Sequence, residues 1–256
     1  MVPVSESTPY PKRKPHVQHR FRLAMDGVPE SARPAVLWPS ANAEYDGYVP
    51  AIPESVAWHL LDPNSGNGLK SQLAAILSII GSNIPDELDA TTTIDDSAGT
   101  IYIDDLATIG PSCHITGPCY IGPRCDVRHG ALVRANTWAC ADSVIGHATE
   151  VKHSILFPSA KAPHFNYVGD SILGSGVNLG AGVKLSNLRH DGKEVKTRYG
   201  EGRIATGLRK FGALLGEGCQ LGCNAVTNPG VILGCDSMVV PNATVSGIHG
   251  AGSFIS

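Results

Sequence analysis

Residues 108–133 read TIGPSCHITGPCYIGPRCDVRHGALV, and an aliphatic side chain recurs in them every six positions, at Ile109, Ile115, Ile121, Val127 and Val133. Leu173, Leu179 and Leu185 keep the same step. A third run begins at Leu215 and Leu221, slips to Thr227 and resumes at Leu233, Val239 and Val245. Four residues after most of these positions stands a small side chain, among them Cys113, Cys119, Cys125, Ala131, Cys219, Ala225, Ser237 and Ala243. A period of six fits neither the 3.6 of a helix nor the 2 of a long strand. It is the signature of an all-β chain wound as a parallel β-helix, in which each hexapeptide makes one side of a triangular prism and three make a coil of about 18 residues. The aliphatic residue points inward, and the small one fills the space near the corner.

Composition agrees with a turn-dense coil: of 256 residues 29 are Gly, and only 17% are charged. The formal net charge of −3 gives no positive field for nucleic acid. No run of about 18 apolar residues predicts a membrane span, and the N-terminus lacks the apolar core of a secretory signal, so a cytoplasmic location is expected. Cys113, Cys119 and Cys125, six apart, could be a thiolate metal site. The favoured assignment is small buried hydrophobes in the slot that Ala and Ser fill elsewhere, with no metal and no disulfide framework.

Residues 1–50 are rich in Pro and basic side chains, with Lys12, Arg13, Lys14, Arg20 and Arg22 close together, and read as a mobile or partner-covering arm. In residues 51–99, Leu69, Leu73, Ile76 and Ile80 share one helix face, ending near Gly81 and Pro85. That helix is expected to cap the open edge of the first coil; a recognition helix is the alternative. The β-helix is assigned to residues 100–256, with breaks at Phe157–Asn166 and Ser186–Phe211. Excursions from a repeat usually carry function.

The first break, at Phe157–Asn166, sets His164 on a loop behind Pro163. Arg134 and Lys152 precede it, 18 residues apart, hence one above the other on one face. They are either a phosphate clamp or two solvated surface charges. The second break, SNLRHDGKEVK at 186–196, is dense in donors and cations and suits either an anionic ligand or a solvated hairpin.

The repeat, the segment KAPHFNYVGDSILGSGVNLGAGVKLSN at 161–187, and the loop motifs PHFNYVGDS, NLRHDGKEVKT and LRKFGALLG resemble a known family. It is the left-handed β-helix acetyltransferase domain of bifunctional sugar-1-phosphate nucleotidyltransferases. The archaeal relatives of the glucose-1-phosphate thymidylyltransferase-like type are the nearer match. The likeness covers about residues 100–250. It implies a left-handed parallel β-helix of hexapeptide repeats with an N-terminal extension containing a helix. The implied enzyme is an acetyl-CoA-dependent N-acetyltransferase of an amino-sugar-1-phosphate, glucosamine-1-phosphate or galactosamine-1-phosphate, in nucleotide-sugar synthesis for the cell envelope. His164 matches the general base that deprotonates the sugar amine. Arg134 and Lys152 match the cations on the sugar phosphate, and Tyr167 and Asn178 match substrate-binding residues. Asn187, Lys193 and Lys196 match loop residues that shape the sugar site. Leu188 stands where the bacterial form has tyrosine, and two residues are inserted after it, which leaves the choice of sugar open. The resemblance further implies a homotrimer with sites between subunits. Nothing in residues 1–95 resembles the Gly-rich segment of the nucleotidyltransferase half, so no such activity is expected. Two other assignments compete. One is a non-catalytic protein that binds a sugar phosphate or sugar nucleotide. The other is a zinc lyase of the γ-carbonic-anhydrase type, for which His129, His147 and His153 lack that family's spacing.

Overall fold

The computed structural model describes residues 28–256. The repeat forms three parallel sheets of eight strands each, the walls of a triangular prism, and the chain visits the first, second and third wall in turn. Register is set by the inward aliphatic column. On the first wall Ile94 lies beside Ile115, then Val133, Val151, Val168, Leu185, Thr227 and Val245 follow in pairs. The column is buried throughout its length, with Ala131, Ala160, Ala225 and the thiols filling the corners. Cys113 donates to the Arg128 carbonyl at 3.2 Å and Cys125 to that of Cys140 at 3.0 Å. Burial pushes the Cys119 and Cys125 thiols up to about 12, so they serve as small buried side chains.

The coil begins at the strand Thr93–Asp95, ahead of position 100. The expected break at 157–166 is not an excursion. Residues Lys161–His164 form a regular strand of the third wall between Val144–His147 and Asn178–Leu179. The six-residue step was hidden there because one residue is dropped at the corner after Val151 and another after Val168. The inward positions therefore fall on Leu156 and Leu173, and the slot between them holds the small Ala162. The second break is real: the chain leaves the first wall after Leu185 and rejoins the second at Ala213. It carries a hairpin of Lys196–Tyr199 against Gly202–Ala205.

The N-terminal segment corrects two expectations. Residues 28–81 are neither a free arm nor an end cap: they pack along the outer face of the second wall. Leu37, Trp38, Trp58, Leu60, Leu61 and the α-helix Leu69–Ile80 bury against Tyr120, Trp138, Ile155, Ile172, Leu214 and Ile232, making a second core. Trp38 Nε1 donates to the Leu215 carbonyl at 3.0 Å and Trp138 Nε1 to that of Tyr48 at 2.9 Å. Full burial of each such aliphatic or aromatic side chain contributes roughly 1.5–3 kcal/mol. Hydrophobic residues on the outside of a strand, rather than the prism end, are what attract the segment. The open edge of the first coil is instead closed by Asn83, whose N–H and carbonyl pair with Ile101 and Ile103. The basic run from Lys12 to Arg22 lies outside the described residues. Among those described, no helix is long and apolar enough to cross a membrane.

One inward slot departs from the pattern. Thr227 sits between Leu185 and Val245, fully buried, and its hydroxyl has no hydrogen-bond partner. Leaving such a group unsatisfied costs about 1–3 kcal/mol. Thr227→Val, which replaces the hydroxyl by a methyl of the same shape, should raise the unfolding free energy by about 1 kcal/mol in chemical denaturation. An unchanged or lowered midpoint would show that the hydroxyl is satisfied.

Candidate active site

Polar side chains gather along the edge where the first wall turns into the second. The strand Glu150–Lys152 is paired with Tyr167–Gly169, placing Glu150 beside Tyr167 and Lys152 beside Gly169, with Arg134 one coil below Lys152. Both cations carry partners. Arg134 Nη1 lies 2.8 Å from Glu150 Oε1 on an exposed rim, and Lys152 Nζ lies 3.0 Å from Asp170 Oδ2 with both side chains largely covered. Asn187, at the root of the excursion, donates through Nδ2 to the same Asp170 oxygen, and its amide and the Tyr167 hydroxyl both border Gly169. Burial, followed by the Glu150 charge, holds the Tyr167 phenol above its ordinary value, so it is a neutral donor at physiological pH. The clamp is thus two ion pairs rather than two free cations. Lys152 has three N–H donors and spends one on Asp170, leaving the others for a ligand.

His164 stands at the opposite edge of the same wall. It ends the strand Lys161–His164, lies beside His147 in register and is exposed. Its imidazole makes no hydrogen bond among the described residues. The main chain around it is fixed. His164 N–H donates to Asn166 Oδ1 at 3.0 Å, its carbonyl accepts from Gly182 N–H at 2.9 Å, and the buried Asn166 donates to the Gly180 carbonyl at 2.8 Å. Gly146 permits the close approach beneath, because a Cβ there would collide with the Pro163 carbonyl oxygen. The expectation of a loop histidine is therefore corrected: His164 is held by a strand end, a more rigid support. Below it the His129 and His147 rings stack 4.9 Å apart, and Phe165 meets His147 edge-on at 5.1 Å. Only Phe165, at a left-handed φ of +52°, and Asn166 separate His164 from Tyr167, so the chain turns the corner between the third and first walls there.

The remaining candidates are spread out. Asn178 lies on the third wall between Lys161 and Gln220, around the corner from Tyr167. Lys193 and Lys196 are exposed and line a separate cleft with Arg189, Asp191, Glu194 and Arg203. Their hairpin is docked rather than solvated: Val195 is buried in the second core, and Thr197 Oγ1 donates to the Gly230 carbonyl at 2.9 Å. Glu150 and Asp170 were missed. The 18-residue step reaches position 170 from 134 and 152 in the sequence, but the shortened coil pairs Lys152 with Gly169, and Asp170 reaches Lys152 from the next position. His153 turns away from His129 and His147, with Nε2 3.0 Å from the Leu61 carbonyl oxygen. Among the described residues no set of three metal-ligating side chains converges.

No family model matches the chain. The "Bifunctional sugar-1-phosphate nucleotidylyltransferase/acetyltransferase" of Sulfurisphaera tokodaii is 33% identical over 211 residues, 82% of this chain and 49% of that protein. The "Uncharacterized acetyltransferase YaiX" of Escherichia coli O6:K15:H31 is 30% identical over 196 residues, 77% of this chain and 84% of that protein. The chain belongs to the hexapeptide-repeat acetyltransferases. It spans about half the length of the bifunctional relative, matching the acetyltransferase part. Among solved structures, a mutant of perosamine N-acetyltransferase from Caulobacter crescentus, in complex with CoA and GDP-perosamine, is 14% identical. It covers 74% of this chain and 90% of its own, at a TM-score of 0.27.

An imidazole without a hydrogen bond thus stands where the third wall meets the first, and cations, an amide and a phenol gather at the first wall's other edge. The second end depends on Gly169. A Cβ there would lie 2.6 Å from the Tyr167 hydroxyl and 2.7 Å from Asn187 Nδ2, so both side-chain tips would have to move. Gly169→Ala should therefore displace both tips and, for the acceptor role proposed below, weaken acceptor binding about tenfold while leaving the melting temperature within a few degrees, as read by steady-state kinetics and thermal unfolding. An unchanged acceptor KM would remove Tyr167 and Asn187 from the binding surface.

Proposed function

We propose that the chain transfers the acetyl group of acetyl-CoA to the amino group of an amino-sugar-1-phosphate, glucosamine-1-phosphate or galactosamine-1-phosphate. The observation that carries this is the placement of an exposed, unbonded His164 where the third wall turns into the first, with the Arg134–Lys152–Tyr167–Asn187 corner along the first wall's other edge. A hexose phosphate lying across the first wall would meet side chains from both edges.

In this proposal Arg134 and the two free N–H donors of Lys152 bind the phosphate. Arg134 is the easier to recruit, because its pairing with Glu150 is a rim contact and such exposed pairs are worth only about 0–1 kcal/mol. Tyr167 and Asn187 donate to the sugar, whereas Asn178, on the third wall, and Lys193 and Lys196, in their separate cleft, lie outside this corner. The amine lone pair attacks the thioester carbonyl carbon, and the new C–N bond leaves a proton on nitrogen. His164 Nδ1 or Nε2 accepts that proton while the C–S bond breaks, and the CoA thiolate departs to be protonated as the thiol. A positioned imidazole is the side chain most often used for such a proton transfer.

The same proposal has the chain working as a homotrimer. The second wall is already covered by residues 28–81, which leaves the first and third walls for neighbours.

Thiol release from acetyl-CoA, measured with each amino-sugar phosphate for wild type and His164→Ala, tests the assignment. Turnover by wild type and a fall of about 10²–10⁴-fold in kcat for the variant, with acetyl-CoA still bound, is expected. Equal turnover by both would dismiss His164 as the base. Binding of the sugar phosphate without turnover by wild type would identify a non-catalytic binding protein.

A further inference from the structure

Asp170 holds both roots of the 186–212 excursion. Its carbonyl accepts from Gly212 N–H at 2.8 Å, where the chain returns, and its carboxylate accepts from Asn187 Nδ2, where the chain leaves. Its N–H donates to the Lys152 carbonyl at 3.0 Å, and its Oδ2 lies 3.0 Å from Lys152 Nζ. Phe211 N–H donates to the Asn187 carbonyl at 2.9 Å and closes the neck. The side chain is only 7% exposed, so its carboxylate faces these partners and not solvent.

We propose that Asp170 is the positioning residue of the acceptor end of the site, fixing the Lys152 ammonium and the Asn187 amide against Tyr167 so that the corner is formed before the sugar phosphate arrives. This rests on the acyl-transfer function proposed above. The backbone bonds of Asp170 would hold the corner with any residue that accepts its φ of +47°. Only the carboxylate ties Lys152 to Asn187, and so joins the wall to the excursion. A charged group with two donors on one oxygen orients both, and loss of that charge frees a largely covered ammonium. Because Asp170 lies at the edge opposite His164, it governs how the acceptor is held and not the proton transfer.

Asp170→Asn is the sharp test, since asparagine tolerates the left-handed corner as well as aspartate does. The expected result is a rise of about tenfold or more in the KM of the amino-sugar phosphate. The acetyl-CoA KM should be unchanged and kcat within about threefold. Asn187→Ala should behave similarly, and the double variant should be no worse than the weaker single one, because both act through one network. A fall confined to kcat, multiplicative effects in the double variant, or wild-type kinetics in Asp170→Asn would each overturn the proposal. Hydrogen exchange separates this from failure of the acyl-transfer assignment. Whether or not wild type turns over, amides in 186–212 should exchange about tenfold faster in Asp170→Asn than in wild type, with the rest of the prism unchanged. Identical exchange overturns the positioning role even for an inactive chain. Should Asp170→Asn fail to fold, the same comparison is made with Asn187→Ala.

Discussion

Side chains in this prism stack over their equivalents one coil away, at the strand spacing of about 4.8 Å, and the rest of the structure follows from that stacking. Inside, it makes columns of Ile, Leu and Val that exclude water. Outside, it forces charged residues in equal phase to meet, and they must be complementary. Arg124 faces Asp142, Asn228 faces Ser246 and the His129 ring lies flat on that of His147, while Lys152, in register with Gly169, pairs with the next residue, Asp170. The acceptor corner is one such column, bent where the coils shorten by a residue. Like charges stacked at this distance would repel, so the Arg134–Lys152 column is interleaved with Glu150 and Asp170.

That interleaving changes how the site works electrostatically. Two uncompensated cations would attract any phosphate. Here each has a carboxylate neighbour, so under the proposed function an incoming anion is recognised by geometry as well as charge, through the unused N–H donors of Lys152, the neutral Tyr167 phenol and the Asn187 amide. The opposite edge is built for rigidity instead: the His164 main chain is fixed by Asn166 and Gly182 while its ring stays unengaged.

The sequence made the prism legible because a six-residue step over more than a hundred positions has no competing explanation. Equal phase also placed Arg134 and Lys152 together before any coordinates did. It failed where the step itself changed. Dropping one residue after Val151 and another after Val168 moved the inward slot, and the small Ala162 gave no aliphatic marker, so a regular strand looked like a loop. The strap was opaque for a different reason. Leu37, Trp38, Trp58 and Leu60 have no period of their own and sit among Pro and polar residues. Only the outward Tyr120, Trp138, Ile155 and Ile172, read as a separate apolar row, reveal that something must cover that wall. Asp170 was passed over because a left-handed corner explains an aspartate without any appeal to function.

The strap also alters what kind of polymer this is. A bare solenoid is a stack of nearest neighbours, free to fray one repeat at a time from either end. Here Tyr48 is bonded to Tyr120 near one end, while Val36 and Leu37 reach Cys235 and Glu217 close to the other. Contacts that join residues nearly 200 positions apart turn a zipper into a clasped book: no outer leaf can open without releasing the binding. The terminal coils, otherwise the weakest, share the stability of the middle, and the molecule gains all-or-none unfolding at the expense of a slower search for its closed form.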